Sequence, residues 1–439
     1  FMEIARQNIR YVSKIEVQNV LFVLSLVLPF FGIFVNYYGM WILMFIAGFL
    51  WLVLTRREAN AGLMFLWGLE FEPAPVDFVF FGSWLKRIIK GDVKWSNNPL
   101  FYLLFVYILL NLVQIPLSIS LQRAGFFALV TVYTISFAFY FSGYIKDYDT
   151  WNEVKRFYLI AVIISAMVLA VMILLLYLQG RLGRPAGFFK DPNVAGAFIS
   201  TGALFAMTRI LFGKREEIGK YLLMFLFLLI SVVLTFSRGS FLNLLSGIGV
   251  IGLISIFVRR SKRFFIVLSI AVVIGLISVP FLLETFRQSF RFRGLQWYDI
   301  YGRAMAWRAG IEMLKNYPLG VGPGQFEIYS IDYQKSVGGP MLRLTPSAHS
   351  LYLRVLTENG LLGFGIFLVG LSVAIVFGIF ELFRSLKSNE AKFQDIAWLL
   401  SSLVGILVQS FVIDTLHWRH FWIILGFMFG LVKLKNKTS

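Results

Sequence analysis

Cysteine is absent from the chain, charge is scarce and histidine is nearly missing: of 439 residues none is Cys, 15% are charged and three are His. No disulfide scaffold, cysteine zinc site or thiol nucleophile is therefore available. The low charge excludes an ordinary soluble domain, in which about a quarter of residues are charged. Acidic residues are the scarcer sign, 23 against 41 Lys and Arg, for a net charge of +18. In a soluble chain this excess would point to nucleic acid. Here no nucleic-acid partner is expected, because basic residues also accumulate on the cytoplasmic side of membrane proteins. What fills the chain instead is apolar: 58% of its residues are hydrophobic and 17% aromatic.

A helix that crosses a bilayer needs about 20 mostly apolar residues. Twelve runs approach that length, near 18–38, 41–55, 99–119, 124–145, 157–179, 192–212, 220–236, 240–258, 264–283, 351–380, 396–414 and 417–433. The first follows a basic stretch (Arg6, Arg10, Lys14) but is long enough to cross and lacks a small-residue cleavage site after it, so it reads as a retained helix. With the N-terminus inside, every inner connection is basic. The expected fold is an all-α polytopic integral membrane protein with about 12 transmembrane helices and both termini cytoplasmic. Helices 1–9 then occupy 1–283, helices 10–12 occupy 351–439, and one long extracytoplasmic loop, 284–350, joins helices 9 and 10. Residues 61–83 are apolar but carry Glu70, Glu72, Pro73 and Pro75 between basic flanks. They are expected to re-enter the membrane or lie at its interface, since one more span would invert everything after it.

The outer side holds the unusual chemistry. Its cations are twelve arginines and only three lysines (Lys190, Lys315, Lys335), whereas the inner set is nearly balanced. Arginine's planar fork suits bidentate contact with phosphate or carboxylate, so the outer face is either an anion site or an Arg-rich rim on membrane lipids.

Four outer elements stand out. Gly183-Arg184-Pro185-Ala186-Gly187-Phe188-Phe189-Lys190-Asp191-Pro192-Asn193 is dense in turn formers, and Asp191 or Asn193 could cap the helix that follows. It reads equally as a plain connection and as an oxyanion site with Arg184 beside a helix start. Ser237-Arg238-Gly239-Ser240 is the whole turn between two apolar runs. Its arginine either snorkels to headgroups or, with flanking hydroxyls and a glycine, contacts phosphate. Inside the long loop, 299–317 has helical spacing, with Ala304, Trp307, Ile311 and Leu314 on one stripe. Arg303 shares a face with Trp307, either as a working arginine or stacked to hold the loop together, and Arg308 is expected to pair with Glu312. Finally, His349 in Ser347-Ala348-His349-Ser350-Leu351-Tyr352 has a general base's range of pKa at the rim of this face, although a lone histidine is more often structural. His417 and His420, near Asp414 and Arg419, read as local pairs or interfacial anchors.

Other signals are declined. Gly320-Val321-Gly322-Pro323-Gly324 lacks the Gly-Lys-Ser/Thr ending of a nucleotide loop and reads as a flexible turn near the membrane. No cofactor is expected, and no metal, since the outer carboxylates form no Asp-x-Asp pair and no His-Glu-x-x-His occurs. Secondary transporters also have twelve spans, but they place ionisable groups near mid-membrane. Here the main polar intrusions are Asn111, Gln114 and Gln409. That distribution favours an enzyme on a lipid-borne anionic substrate.

The loop GRPAGFFKDPN, the turn SRGS, the segment GRAMAWRAGIEMLKNYPLGVGPGQF and the block AHSLYLRVLTENGLLGFG, in this order over about 180–370, resemble the bacterial O-antigen ligase and polymerase superfamily. The resemblance implies an inverting, metal-independent glycosyltransferase. Its donor would be an undecaprenyl-diphosphate-linked glycan and its site would face the periplasm from the bacterial inner membrane. The acceptor would be the lipid A core in a ligase or another lipid-linked repeat unit in a polymerase. The family's essential arginines carry over onto Arg238 and Arg303 and its histidine onto His349. Arg184, Lys190 and Asn193 are expected to contact the donor, as is Trp307. Ser350 stands where many members have Asn after the histidine, a change that bears on the orientation of the base.

Overall fold

A computed structural model describes residues 19–32, 37–54, 58–68, 74–92, 98–180, 183–259, 263, 265, 269, 272, 297–338, 344 and 346–434. Every element in the described residues is helical. Among the described residues eight helices are long and apolar enough to cross a membrane: Pro99–Leu117, Leu121–Tyr144, Tyr148–Leu178, Pro192–Phe212, Arg215–Leu234, Arg238–Val258, Leu351–Ser388 and Glu390–Gln409. Three shorter apolar helices, Asn19–Gly32, Trp41–Leu54 and Arg419–Val432, fall on further expected spans. The chain is a polytopic membrane protein; the expected span at 264–283 lies outside the described residues apart from isolated positions.

The helices are α1 (Asn19–Gly32), α2 (Tyr37–Leu54), α3 (Glu58–Met64), α4 (Pro75–Ile89), α5 (Pro99–Val113), α6 (Leu121–Tyr144), α7 (Tyr148–Leu178), α8 (Pro192–Phe212), α9 (Ile218–Leu234), α10 (Arg238–Leu253), α11 (Trp297–Asn316), α12 (Phe326–Ser336), α13 (Leu351–Ser388), α14 (Glu390–Gln409) and α15 (Arg419–Val432). Several begin before the apolar run, because a polar cap adds a turn. Asp147 caps α7 by accepting from Thr150 N at 2.7 Å, and that bond holds its carboxyl below the usual range. Asn389 caps α14 in the same way through Lys392 N. The 61–83 segment is two short helices: α3, and α4 with Pro75 in its first turn and Asp77 Oδ2 accepting from Ala74 N.

The chain divides into two compact units. The first comprises Phe1–Lys94, Ile145–Ala203 and Leu223–Phe241. In it α3 packs on α7, where Asn60 Nδ2 donates to Glu153 at 2.7 Å. The second comprises Trp95–Tyr144, Leu204–Leu222 and Leu242–Ser439. Its tightest pairings are α6 with α15 and α5 with α13. At one end of this unit Arg209 pairs with Asp395 and Gln394, Arg259 with Glu390, and Lys433 Nζ donates to Ser142 Oγ at 2.9 Å. The other end gathers residues 118–123, 317–327, 349–360 and 410–418.

Candidate functional site

In the first unit two helix starts are tied together. Asp191 Oδ1 accepts from Asn193 N at 2.6 Å and its carbonyl from Val194 N, which caps α8. Ser237 Oγ accepts from Ser240 N at 3.0 Å and caps α10, whose first residue is Arg238. Asn193 joins the two: its Oδ1 accepts from Ser237 Oγ at 2.6 Å and its carbonyl from Ser240 Oγ at 3.1 Å. Two positive helix ends therefore lie side by side, with Arg238 exposed at one of them and Arg184 half-buried and Lys190 exposed in the loop before the other. That loop turns back along α7, with Gly183 beside Leu176 and Gly187 near Val168. Phe188 and Phe189 are buried, their rings tilted against those of Trp67 and Phe198 respectively. Phe236, just before the turn, takes φ of 50°, a left-handed conformation that a bulky residue avoids. Such close approach requires a glycine at 196, where a Cβ would lie 2.3 Å from Ser240 Oγ. Gly196→Ala is expected to cost about 1–3 kcal/mol through this overpacking, read as a lower unfolding midpoint in detergent. An unchanged midpoint would contradict the contact.

In the second unit His349 immediately precedes the cap of α13. Ser350 Oγ accepts from Leu353 N, and Leu351 N donates to the Ser410 carbonyl at 3.0 Å, stitching the helix start to the turn between α14 and α15. His349 has φ of 47°; with Phe236 it makes up the non-glycine residues of positive φ among those described. Strain of this kind persists where surrounding contacts over-determine it, and it concentrates at functional sites. His417 Nε2 lies 3.0 Å from Thr131 Oγ1, and His420 is buried against Trp418, so both have local structural partners.

Five charged side chains cluster just beyond His349. Arg354 is ion-paired on three sides: Nε with Asp414 at 2.6 Å, Nη2 with Glu327 at 3.2 Å and Nη1 with Glu358 at 3.3 Å. Arg123 pairs with the other oxygen of Glu327, and both guanidinium groups lie over the Phe127 ring. Glu358 also accepts from the amides of Gly324 and Phe326. Each of the three carboxylates thus has an arginine partner.

The glycine-rich turn is pinned rather than loose. Helix α13 breaks at Gly360 (φ 66°, ψ −170°), and the carbonyls of Thr357 and Glu358 accept instead from Val321 N and Gly322 N at 3.0 and 2.9 Å. Below it, Asn359 Nδ2 donates to Asn111 Oδ1 and Gln114 Oε1, and its Oδ1 accepts from Tyr107. Gln409 accepts from Asn243 at 2.8 Å. The polar intrusions in the spans are therefore helix-to-helix ties.

The expected loop helix is α11, but its packed stripe is not Ala304, Trp307, Ile311 and Leu314. Met305, Ala306, Ala309 and Met313 are buried, while Ile311 is about half exposed. The reason is size: alanines, with Gly310 lying against Leu353, let α11 approach α13 closely, where bulky residues could not. Arg303 and Trp307 are half-buried, and Trp307 packs on the cluster of Ala306, Met313 and Phe326. Glu312 pairs with Lys315 at 2.8 Å, replacing the expected pairing with Arg308.

Sequence reasoning missed the Arg354 cluster. The signal was present: an Arg and a Glu four apart near the start of an apolar helix are rarely there without partners. Glu327 and Asp414, distant in sequence, gave no such sign.

Comparison with curated proteins gives no match. The family model described as O-antigen ligase matches residues 223–368, the stretch that holds Phe236, Arg238, Arg303, His349 and Arg354. Over that stretch, about a third of its length, the chain is similar to the O-antigen ligase family.

Proposed function

We propose that the chain is an inverting, metal-independent glycosyltransferase that moves a glycan from undecaprenyl diphosphate to an acceptor hydroxyl on the periplasmic face of the inner membrane. In this reading it is an O-antigen ligase that joins O-antigen to the lipid A core of lipopolysaccharide. One observation carries the reading: within the family-matched stretch, left-handed backbone occurs at Phe236, two residues before Arg238, and at His349 itself.

The chemistry requires neither nucleotide nor metal. The acceptor oxygen attacks the anomeric carbon as the bond to the diphosphate breaks, and the diphosphate leaves with the electron pair. Arg238 and Arg303 stabilise the charge that develops on it, with Arg184 and Lys190 as further donor contacts. His349 takes the acceptor's proton. Trp307 supports Arg303. Asn193 serves the donor indirectly, since its side chain is bonded to Asp191 and Ser237 and holds the two helix starts in register.

The test is reconstitution in vesicles with lipid-linked glycan and either lipid A core or further lipid-linked units. Glycan on lipid A core supports the ligase, and lengthened lipid-linked glycan the polymerase. Passage of glycan across the vesicle with no covalent product would sink both. In the same assay Arg303→Lys is expected to lose about 10- to 100-fold in rate, because a point charge cannot replace the bidentate fork. Full activity would return Arg303 to a packing role.

A further inference from the structure

The pinned turn at 317–324 leaves its tip uncovered. Leu319 is 68% exposed, and around it Val113, Leu117, Ile119, Leu361 and Leu362 are each more than half exposed. Hydrogen bonds fix the neighbours: Gln114 Nε2 donates to the Leu319 carbonyl at 2.6 Å, and Leu361 N to the Pro318 carbonyl at 3.0 Å. A contiguous aliphatic collar of this kind marks an interaction surface, unlike apolar residues scattered singly. Neither 111–121 nor 317–324 contains a charged residue.

The occupant follows from continuity along α13. Beyond Leu361 and Leu362 the exposed apolar row continues through Val369, Val376 and Phe380 to Phe383. That stretch has the length needed to cross the hydrocarbon of a bilayer, about 30 Å. Before Gly360 the helix is enclosed by protein, and Leu351, Leu353 and Val355 are fully buried. A bilayer matched to that row has its edge at Gly360–Leu361, level with Leu319. The geometry points to insertion of the Pro318–Leu319 tip, together with Leu117 and Ile119, among the acyl chains of the adjoining leaflet. The loop that carries Arg303 is then seated in the membrane surface and does not ride above it.

Because the chain has no cysteine, a single introduced cysteine can carry a nitroxide without background. Leu319→Cys and Leu117→Cys, in the full chain in phosphatidylcholine–phosphatidylglycerol vesicles, are compared with Val369→Cys as the lipid reference. Asp332→Cys, at a side chain 82% exposed, is the water reference. Collision with oxygen, which concentrates in the hydrocarbon, is measured against collision with a water-soluble nickel chelate. At 319 and 117 oxygen is expected to dominate, as at 369, with the ratio inverted at 332. Nickel dominating at 319 would put the tip in water and overturn the proposal. An immobilised label reached by neither reagent would also overturn it, showing that a second copy or another protein covers the collar. No outcome depends on glycan transfer, so failure here is distinct from failure of the proposed function.

Discussion

His349→Gly is expected to keep donor binding, lose transfer by roughly 10²- to 10⁴-fold, the contribution of a positioned general base, and fold at least as stably as the unaltered chain. The last clause separates this substitution from an ordinary deletion. His349 sits at φ of 47°, where a side chain is strained and glycine is at ease. A histidine kept for packing would on replacement lose contacts that outweigh the backbone strain released. One kept for proton transfer holds its strained backbone against the folding equilibrium, and glycine releases that strain by about 1 kcal/mol. The measurements are the unfolding midpoint and single-turnover transfer in membranes, with His349→Ala as the control that retains the strain and also lacks the base. Normal transfer by either variant would reject His349 as the base. An inactive His349→Gly chain with a markedly lower midpoint would assign the residue to structure.

Arg354→Leu is expected to be the most destabilising single change in the second unit, by about 3–5 kcal/mol, the range for removing one partner of a buried ion pair. Arg354 is 5% exposed and pairs with Glu327, Glu358 and Asp414; without it, among the described residues, Glu327 keeps Arg123 and the other two carboxylates lose their arginine. Arg354→Lys should recover part of the loss, since an ammonium cannot address three carboxylates in the directions a guanidinium does. The exposed pair Lys315–Glu312 supplies the contrast: Lys315→Ala should cost less than about 1 kcal/mol. Chemical unfolding of the three variants in detergent tests the order. An Arg354→Leu chain as stable as Lys315→Ala would mean that the network does not hold the loop helices to α13.

Hydropathy made the spans legible because bilayer thickness imposes a length on any crossing helix, whatever its tertiary neighbours. The Ser237–Ser240 turn was legible for a related reason, being a short polar interruption between two such lengths. Where tertiary packing decides, the signal failed. The face of α11 that meets α13 is built of Ala306, Ala309 and Gly310, residues that a search for bulky apolar stripes passes over. Asn111 and Gln114 stood out as polar within a span, but their partner Asn359 lies some 250 residues away. The turn at 320–324 was recognised by its glycines, yet what pins it is a gap in the hydrogen-bond ladder of another helix, which no local pattern announces.

The break at Gly360 also has a mechanical consequence. Bilayers differ in thickness, and a crossing helix answers by tilting. In an unbroken helix of 38 residues such a tilt would swing the far end like a lever and carry His349 with it. At Gly360 the ladder is interrupted, and the 317–324 turn bonds both sides of the break, Val321 N and Gly322 N to residues 357 and 358 and the Pro318 carbonyl to Leu361 N, so residues 351–359 are held by that turn and the ion pairs and not by the helix ladder alone. The position of His349 is thus set by contacts to three other parts of the chain, the 317–324 turn, Glu327 and Asp414, as well as by the helix that follows it.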